Sequence, residues 1–273
     1  MDVAQILIDG EWRKANGTTS FHATNPATGE TIASPFPVSE WSDCDIALTA
    51  AAHAARELRE VVPERIAAFL EAYASNIESA AEAIVATAHE ETGLPASPRL
   101  KDVELPRTTN QLRQAAMAAR EESWKRPTLD LERNIRSCFA PIGPVIVFGP
   151  NNFPFAFNGI SGGDFAAAIA SGNPVIAKAH PLHPNTTRLL AEEARKASRL
   201  DDDTGELFHV RRIDHLIPCS CAHNNRFRKP PFYRSIFAAV GQVVAGKIED
   251  DLHTAVGQNP FAAMRDAGCA TVP

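Results

Sequence analysis

The chain has no excess of positive charge, no long hydrophobic run and no paired set of cysteines, and each absence narrows what it does. With 27 Lys and Arg against 33 Asp and Glu, a net charge of -6 and a pI near 5.9, it has no basic footprint for nucleic acid or an anionic membrane. A small-molecule partner is the better expectation. No stretch approaches the roughly 20 apolar residues of a membrane span, and Met1 to Asp9 carries neither a cationic leader nor a long apolar core. We therefore expect a cytoplasmic protein. The five cysteines (Cys44, Cys138, Cys219, Cys221, Cys269) are odd in number and irregularly spaced, which favours reduced thiols over bridges. Cys138 in particular is expected to be a buried structural thiol. No G-x-G-x-x-G occurs, and Ser161-Gly162-Gly163-Asp164 alone is weak evidence for phosphate binding.

What is present describes a globular chain: 273 residues, 44% hydrophobic and 22% charged, enough for one large domain or two small ones. Ile6 to Trp12 reads as a hairpin turned by Asp9-Gly10, and Asn25 to Glu30 as a turn before another strand. Helices are expected over 43–60, 63–92 and 102–122. The second carries Ile66, Phe69, Leu70, Tyr73, Ile77, Ile84, Val85 and Ala88 on one face, with Pro63 at its start and Gly93 at its stop. Residues 129–139 read as a single strand.

The middle of the chain reads as strand, helix, strand: a continuous apolar run over 144–148 suited to a buried parallel strand, a helix over 160–171, and a strand over 175–178. A helix over 184–198 follows. Units of this kind build a doubly wound sheet that binds dinucleotides beyond the carboxyl ends of its strands. Alone, Asn152 suits a turn, Lys178 a solvated strand end, Phe153 and Phe157 a core, and His180 and His183 packing or surface positions.

Five segments in order change that reading: Ile8-Asp9-Gly10-Glu11-Trp12, Asn25-Pro26-Ala27-Thr28-Gly29-Glu30, Pro141-Ile142-Gly143-Pro144-Val145, Gly149-Pro150-Asn151-Asn152-Phe153-Pro154-Phe155, and Ala170 to Lys178. Together, over about residues 5–198, they resemble the front part of the aldehyde dehydrogenase superfamily. The His-Pro pattern of Lys178 to Pro184 and the run Asn152 to Phe157 resemble the branch of the 2,5-dioxovalerate (α-ketoglutaric semialdehyde) dehydrogenases. The fold implied is α/β, an aldehyde dehydrogenase-like N-terminal part with an incomplete doubly wound, Rossmann-like parallel sheet over 1–198, followed by a divergent tail over 199–273.

The resemblance implies NAD(P)-dependent oxidation of an aldehyde to its carboxylate, with Asn152 as the catalytic amide aimed where an oxyanion develops. It implies that Phe148, Gly149, Pro150, Asn151, Lys178 and His180 line the cofactor, and that Phe153 and Phe157 line the aldehyde tunnel. Pro181 stands where many NAD-preferring members carry a glutamate that would repel a 2′-phosphate. NADP is thus the preferred cofactor, with NAD open. The resemblance also implies a homo-oligomer, as expected for the family.

The family's G-S-T-x-x-G segment, its glutamate and its cysteine nucleophile are not found in the sequence. Phe237 to Val244 imitates the cysteine segment with Val244 at the critical position, a coincidence of pattern. The chain is therefore expected to be a truncated, inactive front part whose tail arises from a frameshift, an altered gene end or a fusion. The alternative is a catalytically dead nucleotide-binding or interaction protein. His215, Cys219, Cys221 and His223 invite a zinc reading, but without a matching second half we assign no metal site.

Overall fold

A computed structural model describes residues 2–198 and the backbone of 214–218. The chain divides after Cys221 into two units, and every described residue belongs to the first. The zinc-like side chains and the Phe237 to Val244 segment lie outside the described residues.

Strands β1 (Ile6–Ile8) and β2 (Glu11–Arg13) form the expected hairpin. Its turn residues have positive φ, 54° at Asp9 and 71° at Gly10, the backbone that a two-residue turn of this hand demands. Strands β3 (Ser20–Thr24) and β4 (Thr31–Pro37) make a separate pair. Their turn is held by Asn25, whose Oδ1 accepts from the backbone of Ala27 at 2.9 Å. Helix α1 (Trp41–Glu57) starts in a reciprocal cap between Glu40 and Asp43.

The helix expected over 63–92 is two helices, α2 (Pro63–Ser79) and α3 (Ala81–Thr92), parted at Ala80. No glycine or proline marks the break; it lets α2 pack on later helices while α3 turns toward the segment Ala96–Glu104. That segment is an irregular, wide-turn helix running into α4 (Leu105–Arg120), so the third expected helix begins earlier and is not uniform.

Residues 129–139 are a hairpin, not one strand: β5 (Thr128–Asp130) pairs with β6 (Ile135–Ser137). Asp130 accepts from the Arg133 backbone and guanidinium, and Asn134 takes φ 52°, which together reverse the chain. Leu129, Leu131, Ile135 and Phe139 are exposed. Cys138 is exposed as well, correcting the buried thiol expected there.

Strand β7 (Val145–Phe148), helix α5 (Gly163–Ala170), strand β8 (Val175–Ala179) and helix α6 (Pro184–Ala197) form the central unit. Helix α5 starts three residues later than expected because the preceding stretch is taken up by turns. There the Asn158 amide donates to Pro154 O and Thr187 Oγ1, and its Oδ1 accepts from Ile160 N. Strand β9 (Asp214–Pro218) adds to β8 in parallel and to β1 antiparallel, giving a five-stranded sheet in the order β2-β1-β9-β8-β7. Three parallel strands with helices on both faces make this the incomplete doubly wound α/β arrangement.

The larger core joins Leu7, Val147, Val175 and Ala177 of the sheet to α2, α4, α5 and α6, with Phe69, Tyr73 and Phe165 at its centre. On the other face Ile6, Ile8 and Ile176 meet Ala47 and Ala51 of α1. The apolar run of β7 is not wholly buried, as its composition suggested: Ile146 is 37% exposed and Phe148 68%. Among the described residues no helix is long and apolar enough to cross a membrane.

Candidate active site

The residues singled out in the sequence gather at one end of the parallel strands. In the β7–β8 register Phe148 faces Lys178 directly, so the loop Gly149–Asn152 and the loop holding His180 leave the sheet side by side. This is the carboxyl end of the strands, where doubly wound sheets bind ligands.

Gly149 permits a close approach. A Cβ there would lie 2.8 Å from Phe157 O and 3.0 Å from Gly159 N. Its absence lets the loop press on the turn after Phe157. His183, buried beneath, donates from Nε2 to Pro150 O over 3.1 Å and stacks on His180 with ring centres 4.9 Å apart. His183 is thus a packing residue, and one that ties the two loops together.

Burial governs the titration of this cluster. It lowers the Lys178 ammonium from its usual range. Burial first, then His183 and Lys178 nearby, bring His180 down to about 4, so its imidazole is neutral at pH 7. Burial also lowers His183, although its bond to Pro150 works against that. Among the described residues Lys178 makes no ion pair.

Asn151 and Asn152 are exposed at the tip of the loop. The backbone of Asn152 is fixed: its carbonyl accepts from Arg99 Nη2 at 3.0 Å. Among the described residues its side-chain amide makes no hydrogen bond. Directly after it Phe153 meets Phe157 edge to face, centroids 5.1 Å apart at 80°.

Four residues that sequence reasoning did not single out for this site shape it. Glu104, 1% exposed, accepts from Phe155 N at 2.8 Å and Ala156 N at 3.0 Å through Oε1, and from Arg99 Nη1 through Oε2. A buried carboxylate with three charge-assisted bonds holds the segment after Asn152 as a rigid bracket. Arg99 lies over the Phe153 ring at 4.5 Å. Arg107 lies over Phe157 at 4.9 Å and Phe153 at 5.8 Å. The fourth is His183, first read as mere packing. Nothing local in the sequence links residues 99–107 to an asparagine some fifty positions on.

Among the described residues no group of three or more His, Cys, Asp or Glu side chains could hold a metal ion. Cys44, partly buried on α1 beside Asp43 and Asp45, has its thiol pushed up by burial first and then by those carboxylates, which makes it a poor nucleophile.

The chain is 35% identical over 207 residues to an α-ketoglutaric semialdehyde dehydrogenase of Azospirillum brasilense, covering 72% of this chain and 39% of that protein. It is 33% identical over 200 residues to one of Acinetobacter baylyi, covering 70% and 37%. The chain thus spans about two fifths of the length of these curated relatives. Among solved structures, a putative aldehyde dehydrogenase from Burkholderia cenocepacia superposes with TM-score 0.66 at 23% identity, covering 79% of this chain and 41% of that one. A mutant aldehyde dehydrogenase C from Pseudomonas syringae, complexed with NAD+ and octanal, gives 0.62 at 22%, covering 71% and 38%. With the aldehyde dehydrogenase family model matching residues 12–205, a span that includes β7, β8, the Asn152 loop and the Glu104 bracket beneath it, this chain belongs to the aldehyde dehydrogenase family.

Proposed function

We propose that these residues form the dinucleotide-binding wall and oxyanion donor for NAD(P)-dependent oxidation of an aldehyde to its carboxylate, with 2,5-dioxovalerate as the substrate. The observation that carries this is the Asn152 loop, held by Arg99, Glu104 and His183 at the carboxyl end of β7 with its amide uncommitted. An amide donor fixed before reaction stabilises charge developing on a carbonyl oxygen without reorganising, which is where such donors gain their effect. The named relatives supply the substrate expectation.

The residues present suit a phosphorylated dinucleotide. Lys178 is a partly desolvated cation at the end of β8 with no ion-pair partner among the described residues, matched to a phosphate, and Pro181 brings no carboxylate to repel one. NADP is preferred over NAD on this ground. When bound, the nicotinamide would accept a hydride. Phe148 to Asn151 would lie along the nicotinamide side, Lys178 and His180 along the adenosine side, and Phe153 and Phe157 would exclude water from the aldehyde.

The reaction also needs a thiolate to attack the carbonyl and a carboxylate to activate water. Neither family segment is found in the 273 residues. The second reading, nucleotide binding without turnover, rests on that observation.

Calorimetric titration with NADP separates these readings from failure of both. Binding is expected, weakened about tenfold or more in Lys178→Gln, the effect of losing a charge-assisted bond. Affinity unchanged by that substitution would sink the cofactor assignment. With 2,5-dioxovalerate added, no NADPH is expected from this chain; NADPH production abolished by Asn152→Ala would establish an enzyme and reject the inactive reading.

A further inference from the structure

Lys178 lies opposite Phe148 in the β7–β8 register, so the two side chains leave the same face of the sheet as neighbours. Phe148 stands largely open there, while Lys178 is half-buried. Among the described residues the Lys178 ammonium has no carboxylate within ion-pair distance and donates no hydrogen bond. The imidazoles close enough to act on it are those of His180 and His183. Neither offers it a lone pair. His180 Nδ1 accepts from Leu182 N at 3.2 Å, which puts the ring proton on Nε2. His183 donates from Nε2 to Pro150 O and turns Nδ1 inward to the Thr187 hydroxyl, 3.4 Å away.

A desolvated ammonium without an acceptor is driven toward the neutral amine, as burial drives this one. Each unit by which its pKa falls makes about ten times more of it neutral at pH 7. A neutral amine is a nucleophile, and a carbonyl carbon is what lysines in such settings attack. The open Phe148 ring beside it supplies an apolar surface on which a second aromatic ring can stack.

We propose that Lys178 is a nucleophilic site that condenses with a small aromatic aldehyde to form an imine, the ring of the aldehyde lying on Phe148. Nζ attacks the carbonyl carbon and forms a C–N bond, while an amine proton passes to the oxygen and gives a carbinolamine. Loss of that oxygen as water, with a second amine proton, leaves the C=N bond. Nothing is oxidised or reduced, and no further reactant is needed. The site uses neither the Asn152 amide nor a bound dinucleotide, so it stands independently of the function proposed above.

The test treats the full chain at about pH 7 with benzaldehyde and cyanoborohydride, which reduces an imine to a stable secondary amine, and follows each lysine by peptide mass mapping. Lys14 and Lys101, both exposed, serve as references in the same sample. Lys178 is expected to react about tenfold faster than either, or more. Denaturing urea should abolish the difference. Butanal, which cannot stack, should give a smaller ratio than benzaldehyde, and Phe148→Ser should equalise the two aldehydes. Lys178→Arg should remove that adduct and leave the reference lysines reacting as before. A Lys178 rate no greater than that of Lys101, a ratio that persists in urea, or equal ratios for the two aldehydes in the unaltered chain each overturns the proposal. NADP should shield Lys178 alone; fast labelling that NADP does not slow upholds the amine and rejects the cofactor placement instead.

Discussion

The two faces of the five-stranded sheet are covered unequally. On one, Leu7, Val147, Val175, Ala177 and Ala179 lie sealed beneath α2, α4, α5 and α6. On the other, α1 packs over β1, β8 and β9, but at the end of the sheet Ile146 and Phe148 of β7 stand open, 37% and 68% exposed. Consecutive residues of one apolar strand thus have opposite fates. The hydrophobicity of β7 states that both its faces suit burial, and the described part of the chain buries only one. What decides stability here is coverage rather than composition.

The largest effect should come from breaking the sealed face. Phe165 is fully buried and meets Tyr73 edge to face at 5.9 Å. Phe165→Ala is expected to cost about 3–5 kcal/mol, since it removes apolar contact and leaves a cavity that the surrounding helices cannot fill. Urea unfolding measures this directly. A loss under about 1 kcal/mol would mean the core is loosely packed and the contrast between the faces is not one of packing.

A sealed face must also hold its polar groups, and Glu91 is where pH should loosen it. On α3 and 2% exposed, it accepts from Asn185 N and Thr186 N, both at 2.8 Å, and from Thr186 Oγ1 at 2.7 Å, satisfying the first turn of α6. Burial outweighs those donors and raises its carboxyl from 4.5 to about 7. The folded state therefore holds a proton that the unfolded state has released between those values. Its contribution to stability is full below about 4.5 and lost as the pH passes about 7. The expected loss is on the order of 2–3 kcal/mol across that window. His180, lowered to about 4, works in the opposite sense, adding stability as pH rises from there toward 6.5. The difference between the unaltered chain and Glu91→Gln isolates the carboxyl: urea midpoints at pH 5 and 8 should diverge, and parallel pH dependence in the two proteins would contradict the assignment.

The same contrast separates what the residues announced from what they concealed. The Asp9-Gly10 and Asn25 turns, the strand end at Phe148 and the Pro63 start are written in a few adjacent residues whose dihedral preferences act locally. So is the Asn152 loop, whose family pattern survives in one uninterrupted run. The break at Ala80, the reversal within 128–137 and the late start of α5 at Gly163 depend on what each segment packs against, and periodicity does not report that. Glu104 and Phe155 are 51 positions apart, and Glu91 and Asn185 are 94. Their partnership is a property of the fold, with no local pattern to betray it. The open side of β7 was hidden for the same reason, because a strand reads alike whether one face is covered or two.

The smallest effect on stability should come from the open face, and its smallness is the point. Phe148 has little contact to lose, so Phe148→Ser is expected to leave the urea midpoint within the equivalent of about 0.5 kcal/mol. Its consequence should be seen between molecules instead. Ile146 and Phe148 are adjacent on one face of a strand that pairs only with β8 among the described residues, and an apolar face beside an unpaired edge invites association. Sedimentation velocity across a concentration series should show less self-association for Phe148→Ser than for the unaltered chain. If the substitution instead costs about 2 kcal/mol or more, a loss of the size that follows removal of buried apolar groups, then that face is covered in solution and the asymmetry between the two faces disappears.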